Sequence, residues 1–254
     1  MESRGHQRVI VIGHRGARGE VPENTLEGFL HAYEHGIRHF ELDVQISQDG
    51  HLVVHHDLTL RRTTGHKGRT HHHDATVLAG LDARFNTPPW PDRIGVPKLE
   101  SVLEALPEVE SFQLEVKDTG SRQLQQISKA LTRLLAGRER ERCAVTSGAF
   151  DWITTFKHEH PHIRTGVVVE YAWQRPLDKL RRTGADIFVL SKSLVTQQRV
   201  VRAHELGREV SVWTVNDVHT ALRMAQLGVD SLITDYPSHM LKVVTGQSAA
   251  RCAP

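Results

Sequence analysis

Short β-branched apolar runs alternate along this chain with longer stretches in which apolar residues recur every three or four positions. The runs predict strands at 9–13, 39–45, 111–116, 143–147, 165–169, 187–190, 210–215 and 231–234. The helical pattern falls between them, at 25–35, 99–105, 121–135, 151–158, 176–183, 196–206 and 217–227. Strands and helices that alternate at this spacing build parallel βαβ units. Eight such strands within 254 residues favour closure into a single (β/α)8 barrel, the TIM-barrel architecture, over an open doubly wound sheet. The pairs Thr183-Gly184, Leu206-Gly207 and Leu227-Gly228 read as helix C-caps that lead through short loops into the next strand.

One segment breaks the alternation. After the second strand, Gln48-Asp49-Gly50 predicts a tight turn and 51–55 a short returning strand. Residues 57–97 are rich in Gly, Pro, His and Arg, so an insertion is expected over about 46–97. A loop of that length inside a barrel is usually functional or mobile. No linker or composition break divides the chain. One domain is expected, with its core over 8–245 and a frayed polar tail over 246–254.

Composition narrows the classes. Hydrophobic residues are 39% and charged residues 24% of the chain, as in an ordinary globular protein. A formal charge of +2 is too balanced for a nucleic-acid binder or a membrane-surface protein. Cys143 and Cys252 allow one bridge at most, and the polar surroundings of Cys252 count against it. The polar start, Met1 to Arg8, and a short apolar run after it fit neither a signal peptide nor a membrane span. The expectation is a cytoplasmic protein without stable membrane insertion. Its oligomeric state is not readable.

Barrel enzymes place their chemistry at the C-terminal ends of the strands. Here those ends carry Gly13-His14-Arg15-Gly16, Glu41 and Asp43, Glu115 and Lys117, Trp213 with Thr214 and Asn216, and Thr234 with Asp235. Glu41 and Asp43 are two apart in a strand and share a face, and Glu115 and Lys117 repeat that geometry. Their neighbours Leu42, Val44, Leu114 and Val116 then face the helices. Three carboxylates in one barrel mouth repel one another unless a cation neutralises them. Oxygen ligands alone favour Mg²⁺, Ca²⁺ or Mn²⁺ over zinc. A structural ion pair with Lys117 or Arg15 explains any one of them equally well, but hardly all three together. His14 and His56 are the candidates for proton transfer, one as base and one as acid. Asp57 is placed to steady the His56 loop. Arg15 suits bidentate contact with phosphate oxygens, and Lys117 adds a second point charge. Positioned charge of this kind is what phosphoryl transfer requires.

Taken in order, the phrases His14-Arg15-Gly16, Pro22-Glu23-Asn24-Thr25, Glu41-Leu42-Asp43-Val44, His56-Asp57, Arg62-Thr63-Thr64-Gly65, Leu114-Glu115-Val116-Lys117, Trp213-Thr214-Val215-Asn216 and Thr234-Asp235-Tyr236-Pro237 resemble the glycerophosphodiester phosphodiesterase family. The likeness runs over about 9–236. It implies divalent-metal-dependent cleavage of a glycerophosphodiester, a small-molecule substrate, into sn-glycerol 3-phosphate and an alcohol. It also implies Glu41, Asp43 and Glu115 as metal ligands, His14 and His56 as the acid/base pair, and Arg15 and Lys117 on the phosphate. Glu23 and Asn24 would buttress the site, although Asn24 or Thr25 also reads as a helix N-cap. Trp213 would wall the glycerol, or else serve as a core tryptophan.

Three features depart from the family pattern. Ser147-Gly148-Ala149-Phe150 replaces a Ser-Phe pair, so which group faces the site is open. Lys98 stands where a threonine commonly caps the next helix. His71-His72-His73 has no counterpart and reads as an exposed loop rather than a metal site, because ligand spacing is absent. Two other readings share the residues: a lysophospholipase D-like or cyclising phosphodiesterase on the same barrel, and a non-catalytic phosphate-binding barrel.

Overall fold

The computed structural model describes residues 9–137 and 139–251, the last five without their side chains. Nine strands form one sheet: β1 (Ile10–His14), β2 (His39–Ile46), β3 (Leu52–Val54), β4 (Ser111–Val116), β5 (Cys143–Ser147), β6 (Arg164–Val169), β7 (Ile187–Ser191), β8 (Glu209–Trp213) and β9 (Ser231–Thr234). Because β1 pairs in parallel with both β2 and β9, the sheet closes. The result is an eight-stranded parallel barrel with helices between the strands, as expected. The ninth strand, β3, runs antiparallel on β2, Val54 opposite Val44 and Leu52 opposite Ile46, and bridges Lys98 through Val53 on its other side.

Strand alternation sorts the side chains into two cores. Phe40, Leu42 and Val44 of β2 and Phe112, Leu114 and Val116 of β4 face the helices and are fully buried. Phe40 meets Phe29 edge-on at 5.5 Å and lies over Phe112 at 6.0 Å. Truncating such a ring to alanine costs ~3–5 kcal/mol. Inside the barrel, Ile12, Ala144, Val168, Ile187, Val189 and Ile233 form a smaller apolar plug below the mouth. His14, Arg15, Glu41 and Asp43 are buried near it, and burying such charges requires partners.

The Gly-capped helix ends are present, with Gly184, Gly207 and Gly228 all at positive φ. Lys98 stands at the N-cap of Leu99–Ala105 without a side-chain cap bond. Three outcomes differ from the sequence reading. β8 ends at Trp213 rather than running on to 215. The stretch 57–97 is not bare loop: it holds helices Arg61–Thr64 and Ala75–Ala79, a 3-10 turn Thr70–His72, and its own apolar cluster with Leu60, Leu78 and Val96. A final helix, Pro237–Arg251, reaches into the expected tail. Helices of four or five residues are too short for a 3.6-residue period to register. Cys143 is a buried free thiol, pushed up to about 12 by burial. Cys252 and Met1 to Arg8 lie outside the described residues. Among the described residues no helix is long and apolar enough to cross a membrane.

Candidate active site

The register of β2 against β4 sets Asp43 beside Glu115, with Glu41 two residues below on the same face. One oxygen from each of the three carboxylates lies within 4.8 Å of the others. Glu41 and Asp43 are buried, at 3% and 0% exposure. Burial drives the Glu41 carboxyl well above its usual range, and the charges of Asp43 and Glu115 add to the shift. Burial pushes Asp43 the same way. Lys117 and Arg15 outweigh it and hold Asp43 well below the usual range. Lys117 Nζ sits 2.9 Å from Asp43 Oδ1 and 2.5 Å from Glu115 Oε1. Asn24 Nδ2 donates to Asp43 Oδ2 at 2.9 Å. Among the described residues Glu41 Oε1 is buried without any hydrogen-bond partner. An orphaned buried carboxylate oxygen beside two more carboxylates is what a hard divalent cation would satisfy, so the residues fit the metal the sequence implied.

His14 comes from the end of β1. Its Nδ1 is 2.5 Å from Asp235 Oδ1, while Nε2 lies 3.8 Å from Glu41 Oε2. Asp235 Oδ2 in turn accepts from Asn216 Nδ2 at 2.7 Å. Burial pulls the imidazole pKa down, and Asp235 opposes the shift only in part. A neutral ring that donates Nδ1–H to Asp235 leaves the Nε2 lone pair aimed at the carboxylate cluster. The turn after His14 folds back hard. Arg15 and Gly16 have φ of 52° and 87°, and a Cβ on Gly13 would stand 2.2 Å from the Gly16 carbonyl.

His56 arrives by a different route. The β2–β3 hairpin rises past the mouth and returns, so that His55 N donates to Asp43 O at 3.0 Å. The next residue, His56, is thereby delivered to the level of the carboxylates. Its Nδ1 is 2.6 Å from Asp57 Oδ1, and Asp57 Oδ2 accepts from Arg62 Nε at 2.6 Å. Arg62 donates onward to both oxygens of Glu23 (2.7 and 2.8 Å), and Arg15 donates to Glu23 Oε1 at 2.8 Å. Arg15 Nε completes the chain as an ion pair with Asp43 Oδ2 at 3.0 Å. Burial would raise Glu23, but Arg62 and Arg15 hold it at about 2. The ion-pair chain Asp57, Arg62, Glu23, Arg15, Asp43 thus ties the His56 loop to β2, the strand that carries Glu41 and Asp43.

The residues expected from sequence are therefore brought together. Arg15 is 7% exposed and committed to Glu23 and Asp43. Thr25, not Asn24, caps the first helix: its hydroxyl accepts from Gly28 N, while Asn24 at φ 55° serves Asp43. Trp213 is half-buried and packs on the inner plug. Ser147 Oγ donates to the Val116 carbonyl, and Phe150 packs into the outer core. His71, His72 and His73 form no group of three converging ligands among the described residues. Asp235, Asn216 and Arg62 stood in the quoted phrases without a role. Only pairing across the barrel mouth reveals their roles, since Asp235 is 221 residues from His14. His55, adjacent to His56, is buried, its Nδ1 2.9 Å from Asp57 O and its Nε2 3.1 Å from Thr63 Oγ1.

A carboxylate triad that fits a cation and two aspartate-anchored histidines at the mouth of a parallel barrel have the make-up expected of a phosphodiesterase. Residues 14–239 match the glycerophosphoryl diester phosphodiesterase family. A glycerophosphodiester phosphodiesterase of Bacillus altitudinis is 30% identical, covering 92% of this chain and 97% of its own. A solved putative glycerophosphoryl diester phosphodiesterase of Silicibacter pomeroyi superposes with a TM-score of 0.86 at 25% identity, over 95% of each chain. An Oleispira antarctica phosphodiesterase, solved in complex with the product sn-glycerol-3-phosphate, gives a TM-score of 0.79 at 26% identity, over 93% of this chain and 96% of that one. The chain belongs to the glycerophosphoryl diester phosphodiesterase family and is an enzyme of that class, a phosphoric diester hydrolase.

Proposed function

We propose that the chain hydrolyses glycerophosphodiesters to sn-glycerol 3-phosphate and an alcohol. What supports this is a pair of histidines, each anchored through Nδ1 to an aspartate, together with the converging carboxylates Glu41, Asp43 and Glu115, His14 Nε2 lying 3.8 Å from Glu41 and His56 acting electrostatically on Asp43. Those three carboxylates would hold a divalent cation, Mg²⁺, Ca²⁺ or Mn²⁺. When bound, it supplies Lewis-acid stabilisation of phosphoryl charge.

The chain's own residues account for the rest. His14, kept neutral by burial, takes a proton at Nε2 from the attacking water, and Asp235 stabilises the resulting imidazolium. His56, set by Asp57, gives a proton to the departing alkoxide. Lys117 faces the phosphate. Arg15, committed to Glu23 and Asp43, contributes its positive charge from behind. Trp213 closes the glycerol side. The buried free thiol of Cys143 is consistent with a reducing cytoplasm.

The test is a panel of glycerophosphodiesters that differ in alcohol, followed by phosphorus NMR after chelation and after restoring each metal. Linear sn-glycerol 3-phosphate, formed only with metal, is expected. A cyclic phosphate, or full turnover after exhaustive chelation, would refute the reading.

A further inference from the structure

The parallel strands bring all their C-terminal ends, and the loops that follow, to the catalytic end of the barrel. The loop after β6 is unlike the others there. It carries Tyr171 and Trp173, 48% and 77% exposed, with their rings stacked at 6.0 Å and only 10° apart. Trp173 is the most exposed large hydrophobic side chain in the described structure. The loop is nevertheless built firmly. Gln174 Oε1 accepts from the backbone amides of both Glu170 and Tyr171, at 3.0 and 2.9 Å, and Pro176 starts the next helix at once. A rigid prong of this kind loses little conformational entropy when something covers it.

The surroundings say what would cover it. Residues 170–182 hold four cations, Arg175, Lys179, Arg181 and Arg182, against Glu170 and Asp178. Arg175 is 81% and Arg181 53% exposed at the side chain, both beside Asp178. Lys179 and Arg182 lie over the Phe150 ring at 5.2 and 4.8 Å. Together with Arg175 they line a cleft of ≈ 300 Å³ next to the aromatic pair. The overall charge of +2 hides this local excess.

We propose that the β6 loop docks the catalytic end of the barrel reversibly on an anionic phospholipid surface. The Trp173 and Tyr171 rings enter the headgroup layer, and Arg175, Lys179 and Arg182 meet lipid phosphates. Amphipathic aromatic rings favour that layer, and basic side chains beside them are drawn to anionic lipid. A slot for one small molecule would bury its walls, whereas Trp173 projects into solvent. A neutral protein partner would leave the net positive charge of this segment unanswered. Docking of this kind needs no membrane-spanning helix. It would place the mouth where phosphodiesters are released from lipids.

The test is co-sedimentation of the full chain with vesicles of phosphatidylcholine alone, or with about a third phosphatidylglycerol, with Trp emission as a second readout. Binding to the anionic vesicles only, with a blue shift that Trp173→Ala abolishes, is expected. Arg175→Glu should weaken binding by at least about fivefold, and raising salt to ~0.5 M should do likewise. Neither variant touches the catalytic groups, so hydrolysis of a soluble diester should be unchanged. This separates failure of docking from failure of the proposed reaction. No sedimentation with anionic vesicles, equal binding to neutral ones, or binding that survives Tyr171→Ala/Trp173→Ala would overturn the proposal. Self-association lost in that double variant, without vesicle binding, would assign the patch to a second copy and also overturn it.

Discussion

Replacing Asp235 by asparagine is isosteric, yet it should cripple the enzyme by more than removing the side chain does. Asp235 receives two donors, His14 Nδ1 at 2.5 Å and Asn216 Nδ2 at 2.7 Å. Asparagine offers one acceptor oxygen and one amide, so it cannot accept from both. If the oxygen serves Asn216, the amide faces His14 Nδ1 and forces the proton to Nε2, the atom that must accept. A wrong tautomer of a catalytic histidine costs up to ~10⁴-fold, and general acid–base groups are worth ~10²–10⁴. Asp235→Asn should therefore lower kcat/KM by ~10²–10⁴. Asp235→Ala leaves both tautomers accessible and should lose less. Because Asp235 props up the His14 pKa against burial, the alanine variant should also move the acid limb of its kcat/KM profile to lower pH. Steady-state kinetics across pH on both variants, with melting temperatures to check folding, provide the assay. An asparagine variant within about threefold of wild type, or more active than the alanine variant, would refute the tautomer role of Asp235.

Other positions test the surrounding network. Glu23 sits at about 2 in the fold against 4.5 unfolded, so its stabilisation is complete above pH ~4.5 and is lost as pH falls towards 2. Glu23→Gln should therefore cost ~3 kcal/mol at neutral pH in denaturant titrations, narrowing below pH ~4; a pH-independent gap would contradict this. Asn24→Ala removes the donor to Asp43 from a left-handed position, and should weaken metal affinity by ~10–100-fold in calorimetric titration. His56→Ala should cut kcat by ~10²–10⁴ at saturating metal, and near-normal turnover would exclude His56 from proton transfer.

How much of this was legible in the sequence depends on range. Local signals carried far: β-branched runs located every barrel strand, and the two-residue spacing of Glu41 and Asp43 fixed their shared face before any pairing was known. Glycine C-caps at 184, 207 and 228 marked the helix ends. What escaped depends on closure. Asp235 meets His14 only because β9 pairs with β1, and Arg62 meets Glu23 only because the hairpin turns the insertion back over the mouth. Asn24 and Thr25 are both good N-caps by residue type. The left-handed φ of Asn24 and its bond to Asp43 decide between them, and neither can be read from residue type. Arg15, read as suited to phosphate or to a structural ion pair, is ion-paired with Glu23 and Asp43, because a guanidinium buried beside two carboxylates is strongly paired.

The most direct measurement is Mn²⁺ titration of the metal-free protein by electron paramagnetic resonance, with no substrate and no turnover. Wild type should bind Mn²⁺ at a site that Asp43→Asn and Glu115→Gln each remove while the chain stays folded. Unchanged Mn²⁺ binding in the combined Asp43→Asn/Glu115→Gln variant would show that these carboxylates do not share a cation.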